Sequence, residues 1–320
     1  MAMHLLAVVG PTATGKTALA VAAARRLGNA ELLNADSRQV VRGLQVGTCA
    51  PTREDLQGVP CHLLALHDPG EPFSVADWLQ AAQARLVDLE SRGAQPVLCG
   101  GTGLYVSALL DGLDLARVPA DPERRAERTA IAAEPGGLER LAAELVRRDP
   151  AAASGVDLRN PRRVIRALEI LDARGAPLSA ARGRHAEPPA ATQVALDIPR
   201  ALHEAWILRR SQAMFETGSI LEEVHSALGR GITRDALESA GIGYREALAV
   251  IDGRATMEQG VALTAQRTRR YAKAQRTWFR RDPRIRWLEH DAGPVDRHVD
   301  EVLDALREDA RAGQRLPGRR

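Results

Sequence analysis

The chain has 320 residues, 45% of them hydrophobic, and 44 Lys plus Arg against 41 Asp plus Glu give a formal net charge of +3. That is enough apolar material for a full α/β core, with room for one large domain and a smaller insertion. No apolar run approaches the ~20 residues that span a bilayer, and residues 1–9 lead straight into a glycine-containing loop, so neither a membrane span nor a signal peptide is expected. The three cysteines, Cys49, Cys61 and Cys99, show no Cys-x-x-Cys or zinc-type spacing. This argues against a cysteine-built metal site and fits a reduced, cytoplasmic protein.

The first predicted element is a strand over 5–9, and the first predicted helix runs over 17–27 and stops at Gly28. Between them lies Gly10-Pro11-Thr12-Ala13-Thr14-Gly15-Lys16-Thr17, the pattern of a P-loop. Each residue type has a mechanical reason. Glycines let backbone N–H groups close around phosphate oxygens, the Lys16 ammonium bridges terminal phosphates, and the Thr17 hydroxyl can hold Mg2+ at the helix N-terminus. Lys16 and Lys273 are the only lysines in a chain otherwise saturated with arginine. Such a lysine marks a place where a compact ammonium is required and a planar guanidinium does not fit.

Strands are next predicted over 31–33 and 96–99, and helices over 75–91, where Ser74 and Asp77 form a capping box, and over 104–110. This strand–helix alternation predicts an α/β fold of the P-loop NTPase type, a parallel sheet with helices on both faces. Ligand-binding groups then belong at the carboxyl ends of the strands. After the second strand the chain reads Asn34-Ala35-Asp36-Ser37-Arg38-Gln39. Asp36 at that strand end is either an Mg2+ helper or general base, or simply an Asx turn or helix cap. Gly100-Gly101-Thr102-Gly103 follows the third strand, where many P-loop ATPases carry a metal-assisting aspartate, and no acid is present. Three glycines there allow close backbone approach and leave Thr102 to donate to a phosphate oxygen, or they make a purely structural tight turn. No Asn-Lys-x-Asp motif occurs, which argues against a GTPase.

From 116 to 192 the pattern changes to helices rich in Ala, Arg and Glu, predicted over 122–133, 137–148 and 160–174, the last ending at Gly175. Strand patterns return over 193–198 and 285–288, with several helices between them, including a long one over 256–281. The expected organisation is a core from 1–115 and 193–310, a helical insertion domain at 116–192, and a frayed basic tail at 311–320. Residues 1–115 hold 8 basic and 11 acidic side chains, and the remaining 205 hold 36 and 30, so positive charge gathers downstream. A polyanionic partner becomes plausible. Arg162, Arg163 and Arg166 share one predicted helix, and the stretch 259–281 holds Arg267, Arg269, Arg270, Lys273, Arg276, Arg280 and Arg281 with no acid. Positions 269, 273, 276 and 280 fall on one helical face, and Tyr271, Trp278 and Phe279 are interleaved. A single-sign stripe with aromatics favours nucleic-acid or phosphate contact over a plain solvated face.

Taken together these stretches resemble the bacterial tRNA dimethylallyltransferase (IPP transferase) family. The matches are GPTATGKT at 10–17, NADSRQV at 34–40, RGLQVGT at 42–48, PFSVADW at 72–78, GGTGLYV at 100–106, ADPE at 120–123, RRVIRALEIL at 162–171, GYREA at 243–247, and TRRYAK with TWFR between 268 and 280. The resemblance implies transfer of a dimethylallyl group from dimethylallyl diphosphate to N6 of adenosine-37, 3′ to the anticodon, in tRNAs that read codons starting with U. Diphosphate is released. Lys16 with Mg2+ on Thr17 would neutralise the departing diphosphate, Asp36 would take the amine proton, and Thr102 would contact the leaving group. The implied tRNA-binding set is Asp36, Ser37, Arg38, Gln39, Thr102, Arg125, Arg162, Arg163, Val164, Ile165 and Arg166, to which the cationic stripe adds Arg269 and Lys273. The partners are then dimethylallyl diphosphate and a tRNA anticodon stem-loop whose base is flipped out, the cofactor is Mg2+, and a monomer away from any membrane is expected.

The sequence departs from the family pattern at Val41 for a tyrosine, Ala50 for a lysine, Cys61 for a histidine, Ala65 for an aspartate, Trp206 for an arginine and Ala274 for an arginine. Each lost charge-assisted bond would weaken binding by roughly 1.5–3 kcal/mol unless compensated, and Arg276 stands near enough to Ala274 to take over. The strongest rival reading is a small-molecule kinase using ATP, with 116–192 as an arginine-bearing lid, but it leaves the cationic stripe and GGTGLY without a use. A non-catalytic RNA-binding protein would have no need of Lys16, Thr17 and Asp36 together. An adenylate-directed isopentenyltransferase would have less use for a large cationic helical region.

Overall fold

The strand β1 (Leu5–Val9) is buried along its whole length because helices cover both of its faces. Its alternating side chains feed two cores: Leu6 and Val8 pack with Leu19, Val194 and Leu303, while Leu5, Ala7 and Val9 pack with Trp78, Leu98 and Tyr105. Around it lie β2 (Ala30–Asn34), β3 (Cys61–His62), β4 (Gln95–Gly100), β5 (Ala191–Asp197) and β6 (Ile285–Glu289). The order is β3-β2-β4-β1-β5-β6 and every pairing is parallel. This computed structural model describes residues 4–112, 121–174 and 188–315.

The helices in chain order are α1 (Lys16–Leu27), α2 (Arg53–Leu56), α3 (Val75–Ser91), α4 (Gly103–Leu110), α5 (Pro122–Ala133), α6 (Gly137–Arg148), α7 (Ala152–Gly155), α8 (Pro161–Arg174), α9 (Arg200–Glu216), α10 (Ser219–Gly229), α11 (Arg234–Ala240), α12 (Tyr244–Ile251), α13 (Met257–Phe279) and α14 (Val299–Arg315). Local chemistry sets their ends. Gly28 closes α1 at φ 81°, and Ser74 and Asp77 form the reciprocal capping box that opens α3. None of them is long and apolar enough to cross a membrane.

The chain divides into two compact units, one from residues within Met1–Leu110 and Pro188–Arg320, the other within Asp111–Glu187. The first holds the sheet, α1–α4 and α9–α14, including a third apolar cluster in which α10–α12 pack around Phe215 and Tyr244. The second holds α5–α8 around Leu141, Leu145, Val164, Leu168 and Leu171.

The parallel α/β sheet is as the sequence predicts. Its differences are local: β3 was not expected, β5 begins at Ala191, and α13 is shorter at both ends than 256–281. The end of the chain needs a correction, since α14 carries helical backbone through to Arg315, five residues into the expected tail. Gly175, expected to end α8, and residues 316–320 lie outside the described residues.

Candidate active site

The 10–15 loop turns sharply between β1 and α1. Gly15 takes the left-handed conformation at the helix N-cap, and Ala13 does so at φ 60° without the freedom of a glycine. A non-glycine residue in that region costs about 1–3 kcal/mol and persists only where its surroundings enforce it. Those surroundings are visible. Ala13 packs on Ile207, Ala265 and Ala272, and the Thr14 hydroxyl donates to the Pro11 carbonyl at 3.0 Å. Lys16 Nζ donates to the same carbonyl at 3.3 Å and has no carboxylate ion-pair partner among the described residues. Burial pushes its pKa down, partly offset by the negative field of Asp36. An ammonium held this way is a receptor for an added anion.

The ends of β2 and β4 face this loop, and Lys16, Thr17, Asn34, Asp36, Gln39 and Cys99 line one crevice. Buried Trp78, stacked on Tyr105 at 4.5 Å, donates from Nε1 to the Asn34 carbonyl at 3.0 Å and so fixes the end of β2. Asp36 is 9% exposed, and its Oδ1 accepts the Arg38 N–H at 2.9 Å in an Asx turn, with no hydrogen bond to the second oxygen among the described residues. Thr102 accepts the Ser37 N–H at 2.8 Å and donates to the Ser37 hydroxyl at 3.2 Å, so the two turns are stitched together. Gly100 permits that approach: a Cβ there would lie 2.2 Å from the Ala35 carbonyl oxygen. Gln39 donates to the Cys49 carbonyl at 2.9 Å, and Arg38 to the Ser239 carbonyl at 2.6 Å.

Thr12 is held through each of its polar groups by helices far along the chain. Gln275 Oε1 on α13 accepts its N–H at 2.8 Å, His203 Nε2 on α9 donates to its carbonyl at 2.8 Å, and Arg210 Nη2 donates to its hydroxyl at 3.1 Å. The sequence reading missed all three. The available signal was weak: 203 and 210 share a face of α9, and 275 lies one turn from Tyr271 on α13.

The arginine sets divide by what they already hold. On α13, Arg269 and Lys273 have no ion-pair partner among the described residues, whereas Arg267 pairs with Glu246 at 2.6 Å. Arg276 pairs with Asp197 at 3.2 Å and donates to the Ile198 carbonyl. Arg280 pairs with Asp197 and lies 3.9 Å over the Trp287 ring. Only part of the expected stripe is therefore available to a ligand. In the second unit, Arg125 grips buried Glu169 with two 2.7 Å bonds, Arg166 reaches the same carboxylate at 3.1 Å, and Arg162 and Arg163 are exposed. Val164 and Ile165, of the expected RNA-binding set, are 0% and 5% exposed and pack in that unit's core.

A family model described as IPP transferase matches residues 39–282, and an isopentenyl transferase model matches 3–65. The chain belongs to the IPP transferase family. A tRNA dimethylallyltransferase of a Roseiflexus species (strain RS-1) is 40% identical over 93% of this chain and 97% of its own, and that of Thermobifida fusca is 41% identical over 90% of each. Among solved structures, a tRNA isopentenylpyrophosphate transferase from Bacillus halodurans matches with TM-score 0.70 and 36% identity, over 97% of this chain and 99% of that one. A eukaryotic dimethylallyltransferase captured acting on tRNA shares the fold, with TM-score 0.77 at 22% identity, over 99% of this chain and 81% of that one. Family and relatives place the chain among transferases that prenylate tRNA, and a small-molecule kinase is not favoured.

Cys61 borders the crevice, and burial pushes its thiol up to about 12, so it presents an uncharged wall. Trp206 packs against the core of β1 and tilts toward His290 with ring centroids 5.9 Å apart.

Proposed function

We infer that this IPP transferase moves the dimethylallyl group of dimethylallyl diphosphate to N6 of adenosine-37 in tRNA, as a cytoplasmic monomer. One observation carries the reading: an anion-receptive ammonium, Lys16, shares its crevice with one carboxylate, Asp36, while β4 ends in glycine rather than a hydrolase's acid. The loop and Lys16 hold the diphosphate as leaving group. In the reaction the allylic C–O bond breaks, the N6–C bond forms, and the N6 proton passes to the free oxygen of Asp36. The Thr102 hydroxyl, hydrogen-bonded to Ser37 on the turn after β2, would contact the leaving diphosphate. Adenine reaches such a crevice only by leaving its stack.

Among the described residues no cluster of three His, Cys, Asp or Glu side chains is arranged for a metal. The crevice still fits Mg2+, which takes one or two protein oxygens and completes its shell with water and phosphate. The Thr17 hydroxyl would hold it, and when bound it would supply charge neutralisation to the departing diphosphate.

The deciding experiment mixes the protein with an anticodon stem-loop carrying adenosine 3′ to the anticodon, labelled dimethylallyl diphosphate and Mg2+. Label in the RNA is expected; phosphorylation of a small molecule by ATP with no labelled RNA would sink the reading. Asp36→Asn keeps the Asx-turn acceptor but removes the base, so kcat should fall about 10²–10⁴-fold with RNA affinity intact. Unchanged turnover removes Asp36 from that role.

A further inference from the structure

We propose that Gln275 is a positioning residue for the phosphate loop, bridging it to the 100–103 turn and thereby setting the loop's affinity for diphosphate. The proposal deepens the prenyl-transfer reading and rests on it. Gln275 is 5% exposed, and its amide is used at both ends: Oε1 accepts the Thr12 N–H and Nε2 donates to the Gly101 carbonyl, each at 2.8 Å. Thr12 and Gly101 belong to the two turns on either side of the crevice. No backbone hydrogen bond joins Thr12 to the 100–103 turn among the described residues, and a Cβ on Gly101 would stand 3.1 Å from the Gly10 carbonyl.

The geometry has three physical consequences. Backbone N–H groups of such a loop form the anion nest, and the Thr12 N–H is already spent on Gln275, so the remaining amides and Lys16 must do the gripping. Their directions depend on Ala13 keeping its left-handed turn, which a mobile Thr12 would not enforce. The bridge also comes from α13, the helix that carries the unpaired Arg269 and Lys273, and the Tyr271 phenol, pushed up to about 12 by burial, lies beside both Gln275 and Thr102. A buried amide with both ends satisfied is a rigid strut, since leaving either end unmade costs about 1–3 kcal/mol.

Two variants attack the strut from opposite ends. Gln275→Met keeps the volume and removes both bonds. Gly101→Ala places a Cβ 2.3 Å from Nε2 and displaces the amide without touching its chemistry. The affinity of the RNA-free protein for dimethylallyl diphosphate and for inorganic diphosphate is measured by calorimetry, alongside stem-loop affinity, KM and kcat. Each variant should weaken diphosphate binding and raise the corresponding KM about tenfold, with kcat at saturation and RNA affinity within about twofold. The double variant should be no worse than the weaker-binding single one. Failure of the wild-type protein to bind either diphosphate would defeat the prenyl-transfer reading itself. Wild-type binding with unchanged KM in the folded variants overturns the strut, as does an equal loss of RNA affinity, which would mark a general loosening of α13. If Gln275→Met does not fold, Gly101→Ala alone decides between the same outcomes.

Discussion

Lys16 has traded water for a single carbonyl at 3.3 Å, and that loss of solvent favours its neutral form. Only the charged form grips diphosphate. In the free enzyme, affinity is therefore complete at low pH and is lost as pH rises through a value below the ordinary 10.5. Bound diphosphate pulls the proton back, so the alkaline limb should appear in kcat/KM for dimethylallyl diphosphate and be weaker in kcat. Lys16→Arg should flatten that limb while lowering affinity, because a guanidinium stays charged but is the wrong shape for the pocket; a limb unchanged in this variant belongs to another group. Other residues show how far single positions can be read. Of the two alternatives left open by sequence for Asp36, the Asx turn is present, through one oxygen, and the residue also lines the crevice, where the proposed role as base would be exercised. The lysine of the loop was conspicuous because lysine is rare here, whereas Gln275, His203 and Arg210 have no compositional mark.

Helix α13 illustrates the same limit for an element. Its cationic spacing was plain in the sequence, but which charges are free depends on Asp197 and Glu246, which the fold brings alongside from other elements. Neutralising Arg269 and Lys273 together should weaken RNA binding and lower the slope of log affinity against log salt by about 1.4–1.8, at about 0.7–0.9 per phosphate contact. Arg280→Gln should leave that slope alone and lower Tm, since Arg280 anchors α13 to Asp197 and Trp287. The opposite result, a slope governed by Arg280, would reverse the assignment. At the sheet edge, the Arg92 guanidinium, aided by His62, holds the Glu31 carboxyl at about 2, against 4.5 ordinarily. Its contribution to stability is present above 4.5 and is lost as pH falls toward 2. Thermal melts at pH 5 and pH 3 should therefore converge in Glu31→Gln relative to the parent chain; an equal drop in both proteins would show that other carboxylates set the acid limit. The edge strand β3 itself was not legible, because two half-buried residues, Cys61 and His62, offer no periodicity to read.

For the whole molecule, the strand–helix order was readable because each signal is local: an apolar run, a capping box, a glycine stop. The completed crevice was not, because its supports come from distant parts of the chain and depend on how the sheet orders its strands. Thr12 is separated by 191, 198 and 263 residues from His203, Arg210 and Gln275. That distance is also a duration. At about 5–20 residues per second on a ribosome, the loop is made roughly 13–50 s before Gln275 is added. Until His203 is added the nascent loop has none of its three grips, and the last of them comes only with Gln275, so competence for diphosphate arrives late in synthesis, after the sheet strands β1–β5 have been made.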